Sequence, residues 1–215
     1  RSRDHAIVAE RMLWNTDDPS PKGRATNVRF GSGRNGRFEW SYGGEDFYLQ
    51  FLPPYMTDLS IDADTLIAQM DHAGIAAAVL QNDHIYGNLA GAFAEAIERY
   101  PGRFIGLAQV EEAFADTEVE LQRVTHEIEV LGMSGLYYTT TGLFRDGFKR
   151  LPSHHDFDPL WELCSRLNVP IFWVHSARSP VGSYEDEMAH LARIVERFPS
   201  LRHVLVHGVP TALFS

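Results

Sequence analysis

From Ser60 to His207 the chain alternates amphipathic helix and short apolar strand without interruption. Two of the strands constrain the fold most. Val169-Pro170-Ile171-Phe172-Trp173-Val174 is an apolar run that stops at His175-Ser176. Pro170 stands at its start, where a missing N–H costs little. Arg202-His203-Val204-Leu205-Val206-His207-Gly208 repeats the plan. An amphipathic helix precedes each, so each reads as a parallel strand of a β/α fold. Chemistry in such folds gathers at the carboxyl ends of the strands. His175 and His207 both stand at that end.

The earlier elements follow the same grammar. Asp62 or Ser60 caps a helix with Leu66, Ile67 and Met70 on one face, and Gly74 closes it. Ile75–Gln81 reads as a strand, Asn88 caps the next helix, and Pro101-Gly102 stops it. Phe104–Val110 is the second strand. Thr117 and Glu120 have capping-box spacing, and Gly132 sits where a helix-closing glycine belongs. Met133–Thr140 is the third strand, and Asp158-Pro159 opens the helix before Val169–Ser176. His203–His207 is the fifth. Five parallel strands in sequential neighbour order are expected, joined by right-handed crossovers. Upstream, aromatic residues alternate between glycine turns over residues 27–52, which reads as a small antiparallel β insertion. The expected organisation is one domain over residues 1–215, with β/α units from about residue 59.

Composition sets bounds. The chain has 215 residues, 44% of them hydrophobic, and a net charge of -10. That argues against a nucleic-acid partner, which a basic face would attract. No apolar run is long enough to span a bilayer, and Arg1-Ser2-Arg3-Asp4-His5 is not a secretory leader. A cytoplasmic enzyme with a small-molecule partner is expected, and a homo-oligomer is compatible with it. Cys164 is the only cysteine, so a zinc site here must use histidine and carboxylate.

Several stretches resemble the amidohydrolase-related TIM-barrel family, the branch with aminocarboxymuconate-semialdehyde and resorcylate decarboxylases and pyrone-dicarboxylate lactonase. They are Met70-Asp71-His72-Ala73-Gly74-Ile75, Arg99–Val110, Pro170–His175 and Arg197–Gly208. The resemblance covers about Leu59 to Gly208. It implies an α/β fold of the (β/α)8 barrel type, with strands two to six visible. No His-x-His or Glu-x-His precedes the second strand, and nothing after Gly208 supplies strands seven and eight, so the barrel is expected to be incomplete. The resemblance also implies a divalent metal, usually zinc, with His175 as the fifth-strand ligand. His207 is then the catalytic or substrate-polarising sixth-strand histidine.

The residues themselves give further candidates. Imidazole suits proton transfer near neutral pH, which fits His207. Asp83 and His84 end the first strand and read as substrate-binding residues or as helix caps. Tyr138 reads as a hydrogen bond to a substrate carboxylate, with a core role as its alternative. His203 reads as structural. His72, His126 and His190 lie on helices, and adjacent His154 and His155 are poorly placed to share one metal. Gly31-Ser32-Gly33-Arg34-Asn35-Gly36 precedes no helix and is no dinucleotide site.

The expected function is a metal-dependent hydrolase acting on a small carboxylated cyclic or aromatic molecule. A decarboxylase of the same family is the alternative. An inactive binding or assembly module is a rival of another class, and an open doubly wound sheet is a rival fold.

Overall fold

The computed structural model describes residues 26–31, 37–42, 45–50, 61–82, 87–174 and 184–208. The chain divides into two compact units, residues 1–75 with 83–87, and residues 76–82 with 88–215.

In the first unit β1 (Thr26–Gly31), β2 (Arg37–Tyr42) and β3 (Glu45–Gln50) form an antiparallel sheet in that order. Tyr42 pairs with Glu45, so the hairpin between β2 and β3 is tight. This is the expected meander. Helix α1 (Ala63–Ala73) begins at Asp62, whose carboxylate accepts the Thr65 N–H at 2.7 Å. Gly74 closes it with φ 69°, a left-handed turn that suits glycine. The helix buries Ile67 and Met70.

The second unit carries the alternation: β4 (Ala78–Leu80), α2 (Ala90–Arg99), β5 (Phe104–Gly106), β6 (Ala108–Gln109), α3 (Glu118–Glu129), β7 (Leu136–Thr139), α4 (Asp158–Leu167), β8 (Ile171–Val174), α5 (Tyr184–Arg197) and β9 (His203–Val206). Strand β4 pairs with β5, and β6, β7, β8 and β9 pair in sequence, all parallel. The expected strand Phe104–Val110 is broken at Leu107. On one side of the break Leu107 N–H donates to Leu80 O; on the other Ala108 N–H donates to Gly135 O. One stretch of chain therefore serves two neighbours. The sequential order, with no reversal, is that of a barrel-type fold. A doubly wound sheet would show a switch point.

Packing fixes the close approach of β6, β7 and β8. A Cβ on Gly135 would lie 2.9 Å from the side chains of Leu107 and Phe172, so any larger residue there must push one of them aside. On the helix-facing side Leu136, Tyr138, Ile171 and Trp173 meet Val124 of α3, Leu160, Trp161, Leu163 and Cys164 of α4, and Ile194 of α5. Tyr138, Trp161 and Trp173 form a triangle, with ring centroids 4.9 to 5.5 Å apart. Each such pair adds about 0.5–1.5 kcal/mol beyond area burial.

Local capping differs from expectation in two places. Glu120 N–H donates to Thr117 Oγ1, but the Glu120 carboxylate turns to the Glu111 N–H instead. The Thr117 N–H is already donated to Phe114 O, so the second half of the capping box has no donor. Helix α4 starts one residue early, with Phe157 at the cap and Pro159 in the first turn, because a 3-10 turn over His155–Phe157 runs into it. Among the described residues no helix is long and apolar enough to cross a membrane.

Candidate active site

The carboxyl ends of β4 to β9 lie along one edge, because all these strands are parallel. At that edge Val174 and Val206 are register partners. His175 and His207 are the residues that follow them. His175, Asp83 and His84 lie outside the described residues. His207 is exposed, and its backbone is left-handed at φ 71°. Such a conformation is uncommon for a residue other than glycine. Strand alternation would give His207 the parity of His203 and Leu205, which face the helices; the left-handed turn ends that alternation.

His203 belongs to the packing. Trp173 Nε1–H donates to His203 Nδ1 at 2.8 Å, so that nitrogen carries a lone pair and the ring is neutral. Burial holds its pKa below the usual histidine value.

Tyr138 is a correction. It is fully buried between Trp161 and Trp173, on the helix-facing side of β7. Burial, then the charges of Glu112 and Asp146, holds its phenol well above the usual range. Its alternation partner Leu136 is also core, so this face of β7 is the packed one. The side chain stands in the core rather than at the strand ends where a substrate contact was expected.

The edge carries a set of buried polar side chains that the sequence reading did not single out. Asn82 and Gln109 are each 5% exposed. Asn82 Nδ2–H donates to Gln109 Oε1 at 3.0 Å. The Gln109 backbone N–H donates to Glu127 Oε2 at 2.9 Å, and Asn88 Nδ2–H donates to Glu127 Oε1 at 2.8 Å. Glu112 is fully buried and accepts the Thr139 N–H at 2.9 Å. Thr140 Oγ1 donates to Glu187 Oε1 at 2.5 Å, the length of a charge-assisted bond. Glu187 Oε2 has no partner among the described residues. The available signal for Asn82, Gln109, Glu112, Thr139 and Thr140 was position: each stands at or just beyond the end of an apolar strand, or in the first turn after one.

Two arginines tie the loops beyond β6 and β7. Arg145 pairs with Glu111 at 3.0 Å. Arg150 reaches Asp116 at 2.8 Å, Asp156 at 3.2 Å and the Ala113 carbonyl at 2.6 Å. The Asp116 hydrogen bond raises its pKa further. His154 and His155 serve local turns, with Asp156 N–H donated to His154 Nδ1 and His155 Nδ1 3.0 Å from Asp158 Oδ2, and His190 Nδ1 lies 2.7 Å from Ser153 Oγ. His72 and His126 are exposed on helices. Among the described residues no group of three or more His, Cys, Asp or Glu side chains could hold a metal ion. The described part of the chain does not fit an ion by itself.

The fold is similar to that of 2,6-dihydroxybenzoate decarboxylase from Rhizobium, with a TM-score of 0.53 and 18% identity over 65% of this chain and 54% of that one. A 2,6-dihydroxybenzoate decarboxylase complexed with 2,6-dihydroxybenzoate gives a TM-score of 0.55 and 18% identity, over 70% of this chain and 58% of that one. A dihydroxybenzoic acid decarboxylase from Polaromonas sp. JS666, with bound manganese and the inhibitor 2-nitroresorcinol, gives 0.51 and 17%, over 65% and 52%. The chain spans a little over half the length of these proteins. No protein of curated function matches the sequence. A model of the amidohydrolase family matches residues 39–211, and with the parallel strand order beneath that match the chain belongs to this family of enzymes.

Proposed function

We propose that the chain carries the working edge of a divalent-metal enzyme that acts on a small carboxylated ring compound, with His207 moving the proton. The observation that carries this reading is the left-handed backbone of His207 at the end of β9. Holding a residue other than glycine in that region costs about 1–3 kcal/mol, and such costs persist where function needs the geometry. The conformation stands at the strand end where β/α folds place their chemistry.

His175, which follows Val174, is the proposed metal ligand, and Asp83 and His84 are proposed to contact the substrate. A bound divalent ion supplies polarisation of carboxylate and hydroxyl oxygens. The family resemblance implied zinc; the manganese in one fold neighbour supports the broader class of divalent ions. Decarboxylation has the support of the fold neighbours, which are named as dihydroxybenzoate decarboxylases. In that reaction the bond between ring and carboxylate breaks and its electron pair stays on the ring carbon. His207 delivers the proton that replaces the carboxylate, and carbon dioxide leaves. Hydrolysis, the first reading of the sequence, has the family name behind it. There His207 assists proton transfer to water or to the leaving oxygen.

The test measures metal content, carbon dioxide release from 2,6-dihydroxybenzoate and ring opening of a carboxylated cyclic ester. His207→Ala is expected to keep the metal and lower turnover by about 10²–10⁴-fold. His175→Ala is expected to lose both. Undiminished turnover after chelation, or in His207→Ala, overturns the reading.

A further inference from the structure

Residues 140–157, between β7 and α4, are held along one face of α5. Thr140 Oγ1 donates to Glu187 Oε1 at 2.5 Å. Ser153 Oγ lies 2.7 Å from His190 Nδ1. Arg197 donates to the Ser153 carbonyl at 2.9 Å and pairs with Asp158, at the start of α4, at 3.0 Å. Glu187, His190 and Arg197 recur at helical spacing with the buried Ile194, so they share one side of α5. The same segment is tied to the loop after β6 by Arg145 to Glu111 and by Arg150 to Asp116. Within it Gly147 (φ 76°) and Phe148 (φ 59°) are consecutive left-handed residues. That conformation is costly for Phe148, so the seated segment is under strain.

His190 is the contact that can change. Arg193 Nη1 lies 3.3 Å from its Nδ1. A guanidinium only donates, so Nδ1 holds a lone pair, the ring is neutral, and the Ser153 hydroxyl donates to the same lone pair. The charges that act on the ring are those of Arg193 and Asp186, both on α5, while the segment brings the Ser153 hydroxyl. Arg197, with Asp158 and His155 beside it, is the next charged group along this face. Burial, then the Arg193 charge, holds the His190 pKa below the usual histidine value, against an upward pull from Asp186. Lifting the segment returns the ring to water and removes the burial part of that shift. The lifted form therefore binds the proton better. Seating is complete above the ordinary histidine value and weakens as pH falls below it.

We propose that residues 140–157 form an acid-released strap with His190 as its trigger. A proton on Nδ1 ends the Arg193 contact, turns the Ser153 hydroxyl round to accept, and loosens the segment that leaves the carboxyl end of β7. This device is independent of the reaction at that edge.

The experiment follows amide hydrogen exchange, corrected for the intrinsic effect of pH, in wild type and in His190→Asn. The asparagine amide takes the place of Nδ1 and does not titrate. The readouts are the His154 N–H, donated to Leu151 O, and the Phe157 N–H, donated to His154 O. Wild type should lose protection at both as pH falls through the histidine range. The Phe114 N–H, donated to Glu111 O in the loop after β6, should stay protected. His190→Asn should hold protection at all of them. The His190 ring, titrated by NMR in wild type, should have its midpoint where protection is lost. An equal loss in His190→Asn overturns the proposal and assigns the effect to His154 or His155, which lie within the segment. Unchanged protection in wild type while the ring titrates also overturns it. If His190→Asn seats the strap at no pH, the wild-type midpoints decide: coincidence supports the trigger, and separation overturns it.

Discussion

On its helix-facing side the β6–β9 sheet keeps Leu136, Tyr138, Ile171 and Trp173 at 5% exposure or less; on its other side Val204 is 38% exposed while the polar Gln109 is buried. Strand β9 shows the contrast within four residues. His203 sits in regular strand, half-buried, and accepts a hydrogen bond from Trp173. His207 is exposed in a left-handed turn. The first side is what folding alone would select: apolar, close-packed and matched in register. The second side and its edge keep buried amides, a carboxylate oxygen of Glu187 with no partner among the described residues and the left-handed backbone of His207. The unpartnered carboxylate oxygen and the left-handed backbone each cost stability, and both support the working edge proposed above.

The comparison is broken most severely by emptying the packed side. Trp161→Ala should cost about 3–5 kcal/mol, the range for deleting a buried aromatic, read as a lower denaturant midpoint. Gly135→Ala should cost about 1–3 kcal/mol by overpacking, because the new Cβ meets Leu107 and Phe172 at 2.9 Å. Equal stability in Gly135→Ala would show that the sheet gives way easily there. Tyr138→Phe tests the same side more gently. The phenol oxygen is buried with no partner among the described residues, so removing it should leave stability unchanged or slightly higher; a loss above about 1 kcal/mol would mean that the hydroxyl is satisfied after all.

A pH series sharpens the contrast with a smaller effect. Burial depresses the pKa of His203 in the folded protein. Between the ordinary histidine value and that lower one, the unfolded chain binds the proton and the folded chain does not. The stability contributed by neutral His203 is therefore complete above the ordinary value, falls as pH drops below it, and is fully lost below the depressed one. His203→Gln should flatten that part of the stability profile. An unchanged slope would contradict the Trp173–His203 account.

Much of the fold was legible because helix and strand periods are read directly from apolar spacing. The strand order followed from the absence of tight hairpins after Ser60. The break at Leu107 was not legible, since it lies in which neighbour the backbone bonds to and leaves no trace in side-chain pattern. Tyr138 was misplaced because Tyr137 and Tyr138 put an aromatic on each face of β7, so alternation could not choose between them. Asn82, Gln109, Glu112 and Glu187 were overlooked for a related reason. Polar residues at strand ends, or in the first turn of a helix as with Glu187, read as surface, and only tertiary packing buries them. His207 was legible as a candidate from its place at the end of an apolar strand, but its backbone conformation was not.

The most direct test of the central claim, that His207 is kept at the edge against the preference of the fold, is the unfolding free energy of His207→Gly. Glycine adopts the left-handed region at little steric cost. The variant should match wild type or exceed it by up to about 1 kcal/mol. A loss of more than about 1 kcal/mol would show that the imidazole supports the fold, and would contradict the account.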